Sequence, residues 1–273
     1  MDDFKLICVT NRKLCKGYEK YGFDAFYDRI SEIVNMKQDI RPASIILREK
    51  DLSEEEYREV AKRLKTICDK AGVVFCAHNY ALVAEELGTP AHFPLHVLEK
   101  LVRDKKISKT NPRNSGMLNE ISNRMPDGSS NGMPDGSSNG MPDGSSNGMP
   151  DEISNGMPDE ISNGMPDGRS NNILDGRSEI YNLMRYGASC HSVEDALCAY
   201  KLGCDYVTAG HVYITDCKKG LAPRGIDFLK KMCDSVPIPV YGIGGIDLES
   251  DKIDEVKQAG AKGACIMSGY MKA

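Results

Sequence analysis

The chain has 273 residues, 40% of them hydrophobic, with a formal net charge of −5. That is enough apolar side chain for one α/β domain or two small ones, and no apolar run approaches the ~18 residues of a membrane span. The start, MDDFKLICVT, enters a strand-like run without a signal-peptide layout, and the ten Cys stand singly without metal-type spacing, so the expectation is a cytoplasmic protein with buried free thiols.

In chain order, Lys5 to Thr10 reads as a strand, and Phe26, Ile30, Ile33 and Val34 give one apolar stripe to a helix over Phe23 to Met36. Ala43 to Leu47 is a second strand. Ser53 and Glu56 then form a capping box for a helix to about Ala71, whose apolar face is Tyr57, Val60, Ala61, Leu64, Ile67 and Cys68. Val73 to Ala77 is a third strand, followed by a helix from Leu82 to Leu87 that Gly88 stops. A weak strand at Ala91 to Leu95 and a helix from about Val97 to Asp104 complete this half.

From Met117 to Ile180 the sequence repeats every eight residues, with MPDGSSNG as the clearest unit. One large apolar residue per unit does not offset the entropy of ordering the backbone, and the Gly pattern is too sparse for a calcium-binding roll, so a disordered insertion is expected. Seven Asp and four Glu against three Arg give this segment −8, which leaves +3 on the remainder of the chain. A mildly basic remainder suits an anionic small molecule and is too weak to argue for nucleic acid.

After the repeat, Met184 to Cys190 is strand-like, and Ser192 caps a helix with Val193, Ala196, Leu197 and Tyr200 on one side. Asp205 to Ala209 leads into a long loop, Gly210 to Gly225 (GHVYITDCKKGLAPRG), and a helix from Ile226 to Val236. Ile238 to Ile243 is a seventh strand ending in Gly244-Gly245, Ile253 and Val256 mark a helix, and Gly263 to Met267 is an eighth strand. Eight strands alternating with seven helices predict a (β/α)8 barrel, with 1–116 and 181–273 as its halves and 117–180 inserted between the fourth and fifth βα units. The last helix is missing or a stub, which suggests a homodimer covering that flank.

In such a barrel the strand C-terminal ends converge on one mouth. Gathered there are Asn11-Arg12, Arg48, Lys50, His78, Asn79, His191, His211, Thr215 and Lys218. Gly244-Gly245 and Ser268-Gly269 follow the last two strands, where small residues let backbone N–H groups approach a phosphate. His191 has the pKa range for proton transfer at neutral pH, or is a structural strand-end histidine. Cys217, beside two lysines, is in a setting that lowers a thiol pKa.

ASCHSVEDAL, DYVTAGHVYITDCKKGLAPRG and IPVYGIGGI resemble the thiamine phosphate synthase and TenI superfamily, closely from Tyr186 to Gly269 and more faintly from Phe4 to Leu95, where ILREK is similar to the synthase QLREK. The resemblance implies a TIM barrel, a small phosphorylated thiazole as ligand and a place in thiamine biosynthesis. A synthase joining hydroxymethylpyrimidine diphosphate to thiazole phosphate would need Mg²⁺ held by aspartates. Here its Asn-Asp-Arg segment falls on His78-Asn79-Tyr80, Phe93-Pro94-Leu95-His96 holds no Asp, and its Thr-Pro-Thr-Lys is Thr215-Asp216-Cys217-Lys218. GHVYITDCKKG and the Ser-x-His-Ser of Ser189 to Ser192 look like TenI, the thiazole tautomerase, which needs no metal and no cofactor. On that resemblance His191 is the acid/base, Arg48, Lys50, His211, Thr215 and Lys218 bind substrate, and Gly244, Gly245, Ser268 and Gly269 bind phosphate. The alternatives are the synthase, with Mg²⁺, or a non-catalytic regulatory homologue.

Overall fold

The computed structural model describes residues 4–109, 181–183, 185–218 and 220–272. The repeat, Lys219 and the side chain of Cys217 lie outside the described residues, and with them the expectation of a disordered insertion and the reading of the Cys217 setting.

The strands are β1 (Lys5–Val9), β2 (Ser44–Leu47), β3 (Val74–His78), β4 (Ala91–Pro94), β5 (Ile107–Lys109), β6 (Tyr181–Leu183), β7 (Tyr186–Cys190), β8 (Tyr206–Gly210), β9 (Val240–Ile243) and β10 (Gly263–Ile266). Eight of them close a parallel barrel in the order β1-β10-β9-β8-β7-β4-β3-β2. The chain is a (β/α)8 barrel. The helices are α1 (Tyr18–Tyr21), α2 (Phe23–Val34), α3 (Glu54–Ala71), α4 (Ala81–Glu86), α5 (Leu95–Arg103), α6 (Val193–Lys201), α7 (Gly225–Ser235), α8 (Lys252–Gln258) and the four-residue α9 (Ser268–Met271).

Alternate residues of each strand face opposite ways, which divides the core in two. Outward-facing residues such as Cys8, Ile45, Leu47, Phe75 and Phe93 join the helices in one large cluster. Inward-facing Ile7, Val9, Ile46, Cys76 and Cys265 form a second. Each large apolar side chain fully buried in this way contributes about 1.5–3 kcal/mol. Where β3, β4, β7 and β8 meet, the interior turns polar, with His78, His92 and Thr208 all buried.

Several helix signals act as the sequence predicts. Ser53 and Glu56 make a reciprocal capping box, and Tyr57 is fully buried on the inner face of α3. The Tyr57 hydroxyl donates to the Leu47 carbonyl and accepts from the His78 amide, both at 2.7 Å, so α3 fixes the two strand ends that lead into Arg48 and His78.

Some expectations are corrected. The fifth barrel strand starts at Tyr186 and the seventh at Val240, later than Met184 and Ile238. The buried face of α6 is Ala196 and Ala199, whereas Leu197 is 37% exposed, because small residues let that helix approach the barrel closely. The parallel pair β5 and β6, outside the barrel sheet, had no clear sequence signal.

Candidate active site

A cavity of about 390 Å³ opens at the strand C-terminal ends. Its lining includes Arg48, Lys50, His191, His211, Thr215 and Lys218, as expected from the sequence. Gly244, Gly245 and Ser268 line it as well, with His78 and Ser189 deeper in. Gly269 is not part of the lining; it packs towards Leu248, where an added Cβ would lie 3.4 Å from the amide nitrogen.

Arg12 is the clearest departure. It is 6% exposed and turned away from the cavity, donating to Glu49 at 2.9 Å and to both oxygens of Asp51 at 2.6 and 2.8 Å. Glu49, 4% exposed, also accepts from the Thr10 hydroxyl at 2.7 Å and the Arg12 amide at 2.9 Å. The Arg12 guanidinium holds the Asp51 carboxyl well below the usual carboxylate range. This buried latch ties β1 to the loop after β2. Thr10 extends it by accepting from the Arg48 amide at 2.9 Å, which sets where the Arg48 side chain departs.

The cationic side chains feel one another. Partial burial, then the positive charges of Arg48 and Lys218, lower the Lys50 pKa. Three cations converging from the end of β2 and the loop after β8 concentrate positive charge along the cavity lining.

The Gly244-Gly245 turn, with φ of 104° and 68°, also lines the cavity. Beyond the positive φ, proximity demands glycine here: a Cβ on Gly244 would lie 2.6 Å from His211 Cβ, and one on Gly245 would meet the Ile214 carbonyl oxygen. The glycines therefore let the loop after β8 seat against the loop after β9, which also keeps backbone close to the cavity. His211, 6% exposed, has neither ring nitrogen hydrogen-bonded among the described residues.

His191 stands at the end of β7. Its amide donates to Asp195 Oδ2 at 2.7 Å, and Ser192 with Asp195 forms the capping box of α6. Nδ1 lies 3.1 Å from the Gly210 carbonyl oxygen, which only accepts, so Nδ1 carries the proton and Nε2 keeps its lone pair. Desolvation lowers the His191 pKa, Lys218 and Arg224 lower it further, and the Gly210 hydrogen bond and Asp195 act against them. A neutral imidazole with a free Nε2 is the form a general base needs.

His92 carried no sequence signal of function. It is 3% exposed on β4, with Nε2 2.9 Å from Ser189 Oγ and Nδ1 3.1 Å from the Tyr206 hydroxyl. Its ring stacks between those of His78 and Tyr206, with centroids 5.9 and 5.5 Å away. The one available clue is a polar residue flanked by Ala91 and Phe93 in an apolar strand, which is the pattern of an inward barrel position.

Residues 171–270 match the family described as thiamine monophosphate synthase. The thiamine-phosphate synthase of Caldivirga maquilingensis is 40% identical over 87 residues, 32% of this chain and 42% of that protein. The thiamine-phosphate synthase of Pyrococcus furiosus is 42% identical over 87 residues, 32% of this chain and 41% of that protein. Over these residues the chain is similar to the thiamine phosphate synthase/TenI superfamily. The chain spans about two fifths of the length of these curated relatives. A solved thiamine phosphate pyrophosphorylase from Pyrococcus furiosus shares the fold over 100% of this chain and 89% of its own, with a TM-score of 0.55 at 20% identity. Within the superfamily match lie His191, His211, Thr215, Lys218, Gly244, Gly245, Ser268 and Gly269, whereas Arg48 and Lys50 lie outside it.

A Mg²⁺ ion bound here would need hard oxygen ligands. Asp247, exposed, is the single carboxylate among the described lining residues. Among the described residues no group of three or more His, Cys, Asp or Glu is placed to hold a metal ion. Glu49 and Asp51 are committed to Arg12. Among the described residues the donor set does not fit a cage of aspartates around Mg²⁺.

Proposed function

We propose that the barrel is an enzyme of thiamine biosynthesis that binds a phosphorylated thiazole at its mouth and moves a proton on it, as a thiazole tautomerase does. The observation that carries this reading is the hydrogen bond from His191 Nδ1 to the Gly210 carbonyl, which leaves Nε2 as a base at the rim of a cationic cavity. Arg48, Lys50 and Lys218 would hold the anionic groups and the Gly244-Gly245 turn the phosphate. His191 would take the proton from the ring carbon bearing the carboxylate and return it to the exocyclic carbon, so the ring becomes aromatic with no leaving group and no metal.

The relatives' names favour a second reading, the synthase reaction, in which thiazole phosphate displaces diphosphate from hydroxymethylpyrimidine diphosphate. The same thiazole and the same wall of cations serve it, and among the described residues it is short of carboxylates for Mg²⁺. Side-by-side assays separate the two. Tautomerisation of a carboxythiazole phosphate in EDTA, reduced by about two to four orders of magnitude in His191→Ala, is expected. Thiamine phosphate formation with Mg²⁺, together with unchanged tautomerisation in His191→Ala, would replace the first reading by the second.

A further inference from the structure

The polar part of the barrel interior contains a directed chain of hydrogen bonds that ends on the cavity. The Tyr206 hydroxyl lies 3.7 Å from Cys76 Sγ and 3.1 Å from His92 Nδ1, and His92 Nε2 lies 2.9 Å from Ser189 Oγ. The Thr208 hydroxyl donates to Ser189 Oγ over a longer 3.4 Å. Ser189 lines the cavity, and His92 does not.

Two proton arrangements fit these contacts, and the placing of the strongest donor separates them. In one, Tyr206 donates to Nδ1 and Nε2–H donates to Ser189, while the Cys76 thiol donates to the Tyr206 oxygen or to the Ala77 carbonyl at 3.6 Å. In the other, Nδ1–H donates to Tyr206, whose proton must go to a thiol sulfur, and Ser189 donates to Nε2. The imidazole lone pair is used in both, but the Tyr206 phenol is a stronger donor than the Ser189 hydroxyl and the second arrangement spends it on sulfur, a weak acceptor, so the first is preferred. Burial, with the charge of Arg48, pushes the His92 pKa down to about 4, so the ring stays neutral and has one donor and one acceptor at neutral pH. In the first arrangement both Ser189 lone pairs are taken, by His92 and Thr208, and its own O–H has nowhere to go but the cavity.

We propose that His92 is a positioning residue that commits the Ser189 hydroxyl to donating into the cavity, so that the ligand atom beside Ser189 is an acceptor, an oxygen of a phosphate or carboxylate. The ligand class rests on the anion-site reading above, whereas the proton arrangement stands by itself. Gly187 supports the geometry: a Cβ there would run into the Tyr206 ring, so this glycine leaves room for the ring to lie against His92.

The test has two arms on the full chain. Long-range ¹H–¹⁵N NMR of the imidazoles at pH 7 is expected to show His92 protonated at Nε2; protonation at Nδ1 overturns the proposal. Titration with inorganic phosphate is expected to give about tenfold weaker binding in Ser189→Ala and in His92→Phe, the size of one lost hydrogen bond to an anion. The double variant should be no weaker than either single one, and His92→Gln, whose amide still donates, should bind within about twofold of the parent protein. Additive losses, an unaffected His92→Phe, or no phosphate binding by the parent protein would overturn the proposal. If phosphate binds as described and no thiazole phosphate is turned over, the proposed function fails and the positioning role stands.

Discussion

The buried His92 makes the barrel acid-sensitive in a calculable way. Its folded pKa is about 4 against an ordinary histidine value of 6.5, so as pH falls below ~6.5 the unfolded chain takes up a proton that the folded chain refuses. Stability contributed by this group is complete above the unfolded pKa and is lost as the pH falls towards the folded one. The slope is about 1.4 kcal/mol per pH unit, so between pH 7 and pH 5 His92 alone removes about 2 kcal/mol. Carboxylates whose folded pKa is depressed, such as Asp51, lose their contribution only at lower pH and do not enter this window. His78, held well below its ordinary pKa by burial and by His92, adds a loss of the same sign. Urea unfolding of the parent protein and of His92→Gln at pH 7 and pH 5 isolates the single residue. The parent protein should lose about 2 kcal/mol more than the variant between the two pH values. Equal losses would refute the assignment of a buried, neutral His92.

Arg12→Ala should cost about 3–5 kcal/mol in urea unfolding at pH 7, because it leaves Glu49 charged and buried without its partner; a loss under about 1 kcal/mol would show that solvent reaches the latch. Gly245→Ala should lower stability by about 1–3 kcal/mol through its positive φ and the clash with the loop after β8, with a parallel loss of phosphate affinity by calorimetry.

The fold was legible because parallel barrel strands are short apolar runs at regular spacing, and because Ser53-Glu56 and Ser192 announce two helix starts. The mouth followed from the strand ends. Arg12 shows where that rule stops: its position at a strand end is right, but its partners Glu49 and Asp51 lie far along the chain and draw it into a latch instead of the cavity. His92 was hidden for a related reason. A polar residue in a four-residue strand weakens the apolar signal, and only barrel closure shows that it points inward to Ser189. Leu197 misled in the other direction, since the closest helix contact went to two alanines. The glycines after β9 were read as phosphate-binding, and the structure adds a packing demand that is met whether or not an anion is bound.

The central claim is that the mouth binds a phosphorylated thiazole through its cations and the glycine turn. Calorimetric titration with carboxythiazole phosphate in EDTA tests it most directly, using the parent protein beside Arg48→Ala and Lys218→Ala. Saturable one-to-one binding, weakened about tenfold or more in each variant, is the predicted result. No binding by the parent protein, or equal affinity in all three proteins, would contradict it.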